Sequence, residues 1–181
     1  MLSESGQADF QPSPFLTSDD YSLYIPALNL VNVQVSFADP YNAKSALDVL
    51  KNGLGHYLAP PGSGQKMVLF GHSSGYNWDS SQYKQILREI NALVEGDELF
   101  INYHGVGYRY RVNKHEIIPQ NELVKVMEPT QHEELVLYTC WPPNKISHRY
   151  LIYASAVKWL MRPSQPLHRS LICSDWLKTL L

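Results

Sequence analysis

Apolar runs of only a few residues, each cut off by proline or glycine, recur from Tyr21 to Ala154 and set the limits on what this chain can form. Runs of that length, rich in β-branched and aromatic residues, suit strands better than helices. Val31, Val33 and Val35 alternate within Tyr21 to Phe37, and Pro26 interrupts that stretch where an edge or bulge belongs, so it divides into two short strands. Met67 to Phe70 follows the Pro60-Pro61-Gly62 turn as a buried strand. Leu99 to Tyr103 and Tyr108 to Val112 form a hairpin through Gly105-Val106-Gly107. Further runs at Ile117-Ile118, Leu123 to Val126, Leu135 to Thr139 and Tyr150 to Ala154 are broken by Pro119, Pro129 and Pro142-Pro143. Two segments carry helical spacing instead. Asp39 offers a cap and Pro40 a first position before Ala43, Ala46, Leu47 and Leu50, with Asn52-Gly53 as the stop. Tyr83, Ile86, Leu87, Ile90 and Leu93 repeat after Asp79 or Ser80 and end at Gly96, predicting a helix of about three turns. The expectation is a mainly β fold: a closed, mostly antiparallel barrel with short helices.

At 181 residues and 44% hydrophobic content there is room for one domain with its own core. Residues 1–20 have the composition of a mobile arm or linker, residues 21–154 hold the barrel, and 155–181 form an extension. In that extension Leu171, Ile172, Trp176, Leu177 and Leu180 would make a weak amphipathic helix packing on the barrel, with membrane contact as the lesser alternative. A net charge of −2 with scattered Lys and Arg offers no field for nucleic acid. Cys140 and Cys173 are too few for a disulfide framework and lack zinc-site spacing. No apolar stretch approaches the roughly 18 to 20 residues that span a bilayer, and Met1 to Asp20 has no basic region followed by an apolar core.

The chemistry concentrates at strand ends. Leu135 to Tyr138 delivers Thr139 and Cys140 to the edge of the core just before Trp141-Pro142-Pro143 stops ladder pairing. Arg149 opens the next strand, so the connecting loop seats a guanidinium beside a thiol. His72 follows the apolar run Val68 to Phe70 and is released from it by Gly71. A thiol attacks only as thiolate, and with reference pKa values near 8.5 and 6.5 an uncoupled Cys–His pair is charge-separated about 1% of the time near pH 7.5. A nearby cation raises that fraction. Arginine is no base, but its fork of donors suits a developing oxyanion, an effect worth about 3 kcal/mol for one good donor.

Gly71-His72-Ser73-Ser74-Gly75 also fits the Gly-x-Ser-x-Gly elbow of α/β-hydrolases, with Ser73 as nucleophile. Against that reading, Tyr76-Asn77-Trp78-Asp79 delays the helix an elbow requires, and Cys140 and Arg149 are left without a task. A barrel that binds peptides without catalysis is the other alternative. His56, His104, His115, His132, His148 and His168 show no paired-ligand spacing and read as surface or core histidines. Glu116, Glu122 and Glu128 are too dispersed for a calcium site, so no metal or cofactor is expected.

The run Leu135-Val136-Leu137-Tyr138-Thr139-Cys140-Trp141-Pro142-Pro143, followed by Arg149-Tyr150-Leu151-Ile152, resembles the Thr-Cys strand and downstream arginine of sortases. Phe70-Gly71-His72-Ser73 resembles the segment carrying their histidine, and Gly53-Leu54-Gly55-His56-Tyr57 the stretch before it. Tyr24-Ile25-Pro26, Gly96-Asp97 and Ile117-Ile118-Pro119 fall in the same order. The resemblance implies an eight-stranded barrel and catalytic roles for His72, Cys140 and Arg149, with Thr139 against the substrate backbone. Trp78 and Trp141, close in sequence to His72 and Cys140, are read as walls of the groove. It further implies cleavage of a Leu-Pro-x-Thr-Gly-like sorting signal of surface proteins through a thioacyl enzyme, and transfer to an amine on a peptidoglycan precursor or pilin subunit. Such enzymes work at the extracytoplasmic face of the bacterial membrane, usually on an anchor; none is expected within these 181 residues, so the reading is either a trimmed chain or a member held at the surface differently.

Overall fold

In the computed structural model, residues 21–75 and 80–161 are described, the last four for their backbone only. The arm 1–20, Trp78, Cys173, His168 and the extension past 161 lie outside the described residues. Eight strands close into a barrel: β1 (Ser22–Ile25), β2 (Leu30–Phe37), β3 (Leu54–Leu58), β4 (Lys66–Gly71), β5 (Glu98–Tyr103), β6 (Val106–Pro119), β7 (Glu134–Trp141) and β8 (His148–Met161). Their order around the barrel is β1-β2-β3-β4-β7-β8-β6-β5, and β5 pairs back onto β1. All neighbours are antiparallel except β2 with β3 and β4 with β7.

The parallel β4–β7 pair is the structural spine of the site. A strand buried on both faces reads as an uninterrupted apolar run, and β4 is buried at every residue. Inward, Met67, Leu69, Leu135, Leu137, Ile152 and Ala154 join Leu23, Ile25, Leu99 and Ile101 in the barrel core. Outward, Val68, Phe70, Val136, Tyr138 and Leu151 form a second cluster under α1 (Ala43–Val49) and α2 (Leu123–Val126), with Ala46, Val49, Leu50, Leu123, Val126 and Met127 packed on it. Burying a Leu or Phe contributes about 2 kcal/mol, so this outer layer fixes two helices that have little else to hold them.

Several expectations are corrected. The cap of α1 is Asn42, whose Oδ1 accepts from Lys44 N (3.1 Å) and Ser45 N (3.3 Å). Asp39 instead closes a turn by accepting from Tyr41 N at 2.9 Å, with Pro40 inside that turn. The stretch from Tyr83 to Leu93 buries Leu87, Ile90 and Leu93 as its spacing predicts, yet it is a chain of turns ending in a 3-10 turn at Ile90–Ala92. The reason is one long-range bond: Leu87 N donates to His72 O at 2.9 Å, and its neighbours close three-residue bonds such as Ile86 N to Tyr83 O. Leu123 to Val126 is a single helical turn, not a strand. The β5–β6 hairpin turns at His104-Gly105, both at positive φ (51° and 72°), so Val106 and Gly107 are already paired. In β2, Asn32 at φ 49° disturbs the alternation, leaving Val31 60% exposed while Val33 and Val35 are buried. Strand β8 continues past Ala154 to Met161.

Candidate active site

Period-two alternation decides what the site contains. In the β7–β8 ladder Cys140 lies directly opposite Arg149, and in the β4–β7 ladder Gly71 lies opposite Thr139. Phe70, Tyr138 and Leu151 belong to the outer cluster, so Cys140, two residues after Tyr138 on β7, and Arg149, two residues before Leu151 on β8, share the outer face. His72 comes one residue after the last paired position of β4 and falls level with Cys140. Neighbouring strands are about 4.8 Å apart, so the topology gathers thiol, imidazole and guanidinium from three consecutive strands of the barrel wall. Cys140, His72 and Arg149 are each partly exposed.

The backbone here is pinned from several sides. Thr139 Oγ1 donates to Gly71 O and Ser73 Oγ donates to Cys140 O, both at 2.7 Å. Asn144 N, in the β7–β8 loop, donates to Ser74 Oγ at 3.0 Å. Leu87 N holds the His72 carbonyl. Gly71 leaves no room for a side chain: a Cβ there would meet Leu54 Cδ2 at 2.5 Å and Leu87 Cδ1 at 3.0 Å. These contacts lock the exit of β4, and His72 with it, against the end of β7 that carries Cys140.

Arg149 is held by its own hairpin. Its Nη1 donates to Ile146 O and His148 O, each at 2.9 Å, while Nε and Nη2 have no partner among the described residues. A guanidinium anchored through one nitrogen keeps its remaining donors available for a further acceptor.

Thr139 and Trp141, expected against the substrate, face the other way. Thr139 is 1% exposed with its hydroxyl committed to Gly71, so it braces the two strands. Trp141 packs with the inner cluster, its ring 5.0 Å from that of Tyr150. Both follow from alternation, since residues flanking Cys140 point opposite to it. The serine-nucleophile alternative loses its ground: Ser73 is 1% exposed, its hydroxyl is engaged with Cys140 O, and the fold is a closed barrel rather than a parallel open sheet. Ser73 and Ser74 are the site residues that sequence reasoning missed. Their signal, two serines directly after the histidine, was absorbed by the elbow motif.

An aromatic floor leads up to the thiol on the outer face. Tyr57 stacks on Phe70 (4.3 Å, 19°) and Phe70 on Tyr138 (5.8 Å, 20°). Phe70 lies flat on Gly55, where a Cβ would come within 2.1 Å of its ring. Burial holds the Tyr138 phenol well above its ordinary value and raises that of Tyr57. Both hydroxyls therefore remain protonated donors at neutral pH. Among the described residues no helix is long and apolar enough to cross a membrane.

Comparison with known proteins agrees with this architecture. A family model for the sortase domain matches residues 23–157. Sortase D of Bacillus subtilis is 28% identical over 116 residues, 61% of this chain and 53% of that protein, so the chain spans about half the length of this relative. Among solved structures, the Clostridium perfringens Sortase D5 transpeptidase superposes with a TM-score of 0.61 at 21% identity, over 76% of this chain and 78% of that one. Sortase A from Corynebacterium diphtheriae gives 0.64 at 24% identity, over 81% and 63%. At these identities the structural likeness speaks for the fold, and the family model speaks for descent: the chain belongs to the sortase family.

Proposed function

We propose that this chain is a cysteine transpeptidase that cleaves a Leu-Pro-x-Thr-Gly-like sorting signal and passes the acyl part to an amine. The observation that carries the reading is the Cys140–Arg149 ladder pair on the outer face, with β4 delivering His72 alongside. Cys140 Sγ, as thiolate, attacks the scissile carbonyl and the carbonyl π electrons move onto oxygen. The free Nε and Nη2 donors of Arg149 stabilise that oxyanion. Imidazolium His72 gives its proton to the departing amine as the C–N bond breaks, leaving a thioacyl enzyme. An incoming amine then attacks the thioester, His72 takes the proton it sheds, and the Cys140 thiolate departs. The acceptor amine belongs to a peptidoglycan precursor or pilin subunit in this reading, and the work is done at the extracytoplasmic face of the membrane.

The test is a panel of sorting-signal peptides incubated with a panel of amines and read by mass spectrometry. Cleavage with amine-dependent ligation is the expected product pattern, abolished in Cys140→Ala and retained, at reduced rate, in Ser73→Ala. Turnover that survives in Cys140→Ala would remove the proposal.

A further inference from the structure

The outer face carries one more polar group that the chemistry above leaves unused. Tyr138 stands two residues before Cys140 on β7 and points the same way, and its ladder partner Leu151 stands two residues after Arg149 on β8. Such diagonal neighbours are about 7–8 Å apart, within reach of a phenol and a guanidinium. Tyr138 is 8% exposed and its ring is fixed against Phe70. Its hydroxyl nevertheless has no hydrogen-bond partner among the described residues, nor is its oxygen among the buried atoms sealed off without one. The stack needs only the ring, which phenylalanine would supply equally well. The hydroxyl oxygen thus reaches the surface at the end of an otherwise buried side chain, where it can meet an acceptor from outside the barrel.

The spacing says what the partner is. Two residues along a strand cover about 6.6–6.8 Å, and an extended peptide presents carbonyls on one side at the same interval. A peptide lying along β7 with its scissile carbonyl at Cys140 therefore brings a second carbonyl level with Tyr138. The acyl part belongs on this side, since it must stay bound after the leaving group departs and the aromatic floor and the two helices lie here, whereas the other side opens onto the exposed loop residues 144–148.

We propose that Tyr138 is a substrate-positioning residue whose hydroxyl donates a hydrogen bond to a backbone carbonyl of the acyl-donor peptide, two residues before the scissile carbonyl. It rests on the transpeptidase reading for the identity of the ligand, an extended peptide. Because the phenol is neutral and its bond is made in the ground state, it acts on binding rather than on the chemical step.

The experiment separates the two claims by measuring binding apart from turnover. Fluorescent sorting-signal peptides are titrated into Cys140→Ala and into Cys140→Ala with Tyr138→Phe, and cleavage is followed in wild type and Tyr138→Phe. Loss of one net hydrogen bond predicts Kd and KM raised about three- to tenfold, with kcat unchanged. A peptide whose amide carbonyl at that position is reduced to methylene should lose as much affinity for the Tyr138-containing protein, and nothing further for the Tyr138→Phe protein. Unchanged Kd in Tyr138→Phe, additive losses in the peptide cycle, or a fall in kcat alone each overturns the assignment. Peptide that binds with this dependence and is never cleaved would sink the transpeptidase reading and leave the Tyr138 assignment standing. Failure of every peptide to bind would remove both.

Discussion

His56 gives the structure a pH-dependent stability whose sign and size can be worked out. It is fully buried in β3, with Nε2 3.0 Å from Ala59 O and Nδ1 2.9 Å from Tyr21 Oη. A carbonyl only accepts, so Nε2 carries the hydrogen and Nδ1 accepts from the Tyr21 hydroxyl. Phe37 (4.3 Å) and Tyr21 (5.6 Å) enclose the ring. Protonating Nδ1 would break the bond from Tyr21 and place a charge among aromatic rings, and burial accordingly pushes the imidazole down to about 4. An unfolded histidine titrates near 6.5. Between those values the unfolded chain holds one more proton than the folded one, so stability rises with pH across this window. The contribution is fully present above pH 6.5 and is lost as pH falls toward 4, a total of about 3 kcal/mol at about 1.4 kcal/mol per unit. The assay is urea denaturation followed by circular dichroism at pH 7.5, 6.5, 5.5 and 4.5, with the His56 ring nitrogens followed by NMR. The carboxylates of Asp48, Glu98 and Glu116 are held low by Lys51, Arg109 and Lys114, so their losses begin only at the acid end of this range and continue below it, leaving the change from pH 7.5 to 5.5 to His56. Stability that stays flat from pH 6.5 to 4.5, or a His56 ring that titrates near 6.5, would refute the reasoning.

Gly55→Ala sets a methyl against the Phe70 ring and should cost about 1–3 kcal/mol by overpacking, read as a lower urea midpoint at unchanged m-value. Lys66, 7% exposed, donates from Nζ to Val126 O (3.3 Å) and Glu128 O (2.9 Å) beside the C-terminus of α2. Lys66→Met strips both carbonyls of their donor, so a loss of about 1–3 kcal/mol and faster hydrogen exchange in residues 123–128 are the expected readouts. Arg149→Lys keeps the charge but not the directional fork, so kcat should fall about 100-fold or more with KM little changed. The reverse pattern would make Arg149 a binding cation.

Much of the architecture was legible because period-two burial leaves an unambiguous trace. The β4 run, the β7 run and the β5–β6 hairpin were each visible as apolar segments with turn residues at their ends. Where reading failed, a bond between distant residues overrode a local pattern. Tyr83 to Leu93 has helical spacing, and one N–H taken by the carbonyl of His72 keeps it from being a helix. Leu123 to Val126 has the composition of a strand, yet it winds into a turn that packs on the outer cluster. Asp39 and Asn42 are chemically equal as caps, and only the turn geometry at Pro40 decides between them. For the site, sequence order located Cys140, His72 and Arg149 at strand ends but could not say which face they share. The ladder registers do so, and the same registers turn Thr139 and Trp141 inward.

Capture of the acyl enzyme tests the central claim most directly. Wild-type protein is mixed with a sorting-signal peptide without added amine, quenched in acid and measured by intact-mass spectrometry, with peptide mapping and a Cys140→Ala control. The account predicts an adduct equal in mass to the acyl fragment, mapped to Cys140, discharged by hydroxylamine and absent from the control. An adduct that persists in Cys140→Ala, or maps to Ser73 or Cys173, would contradict it.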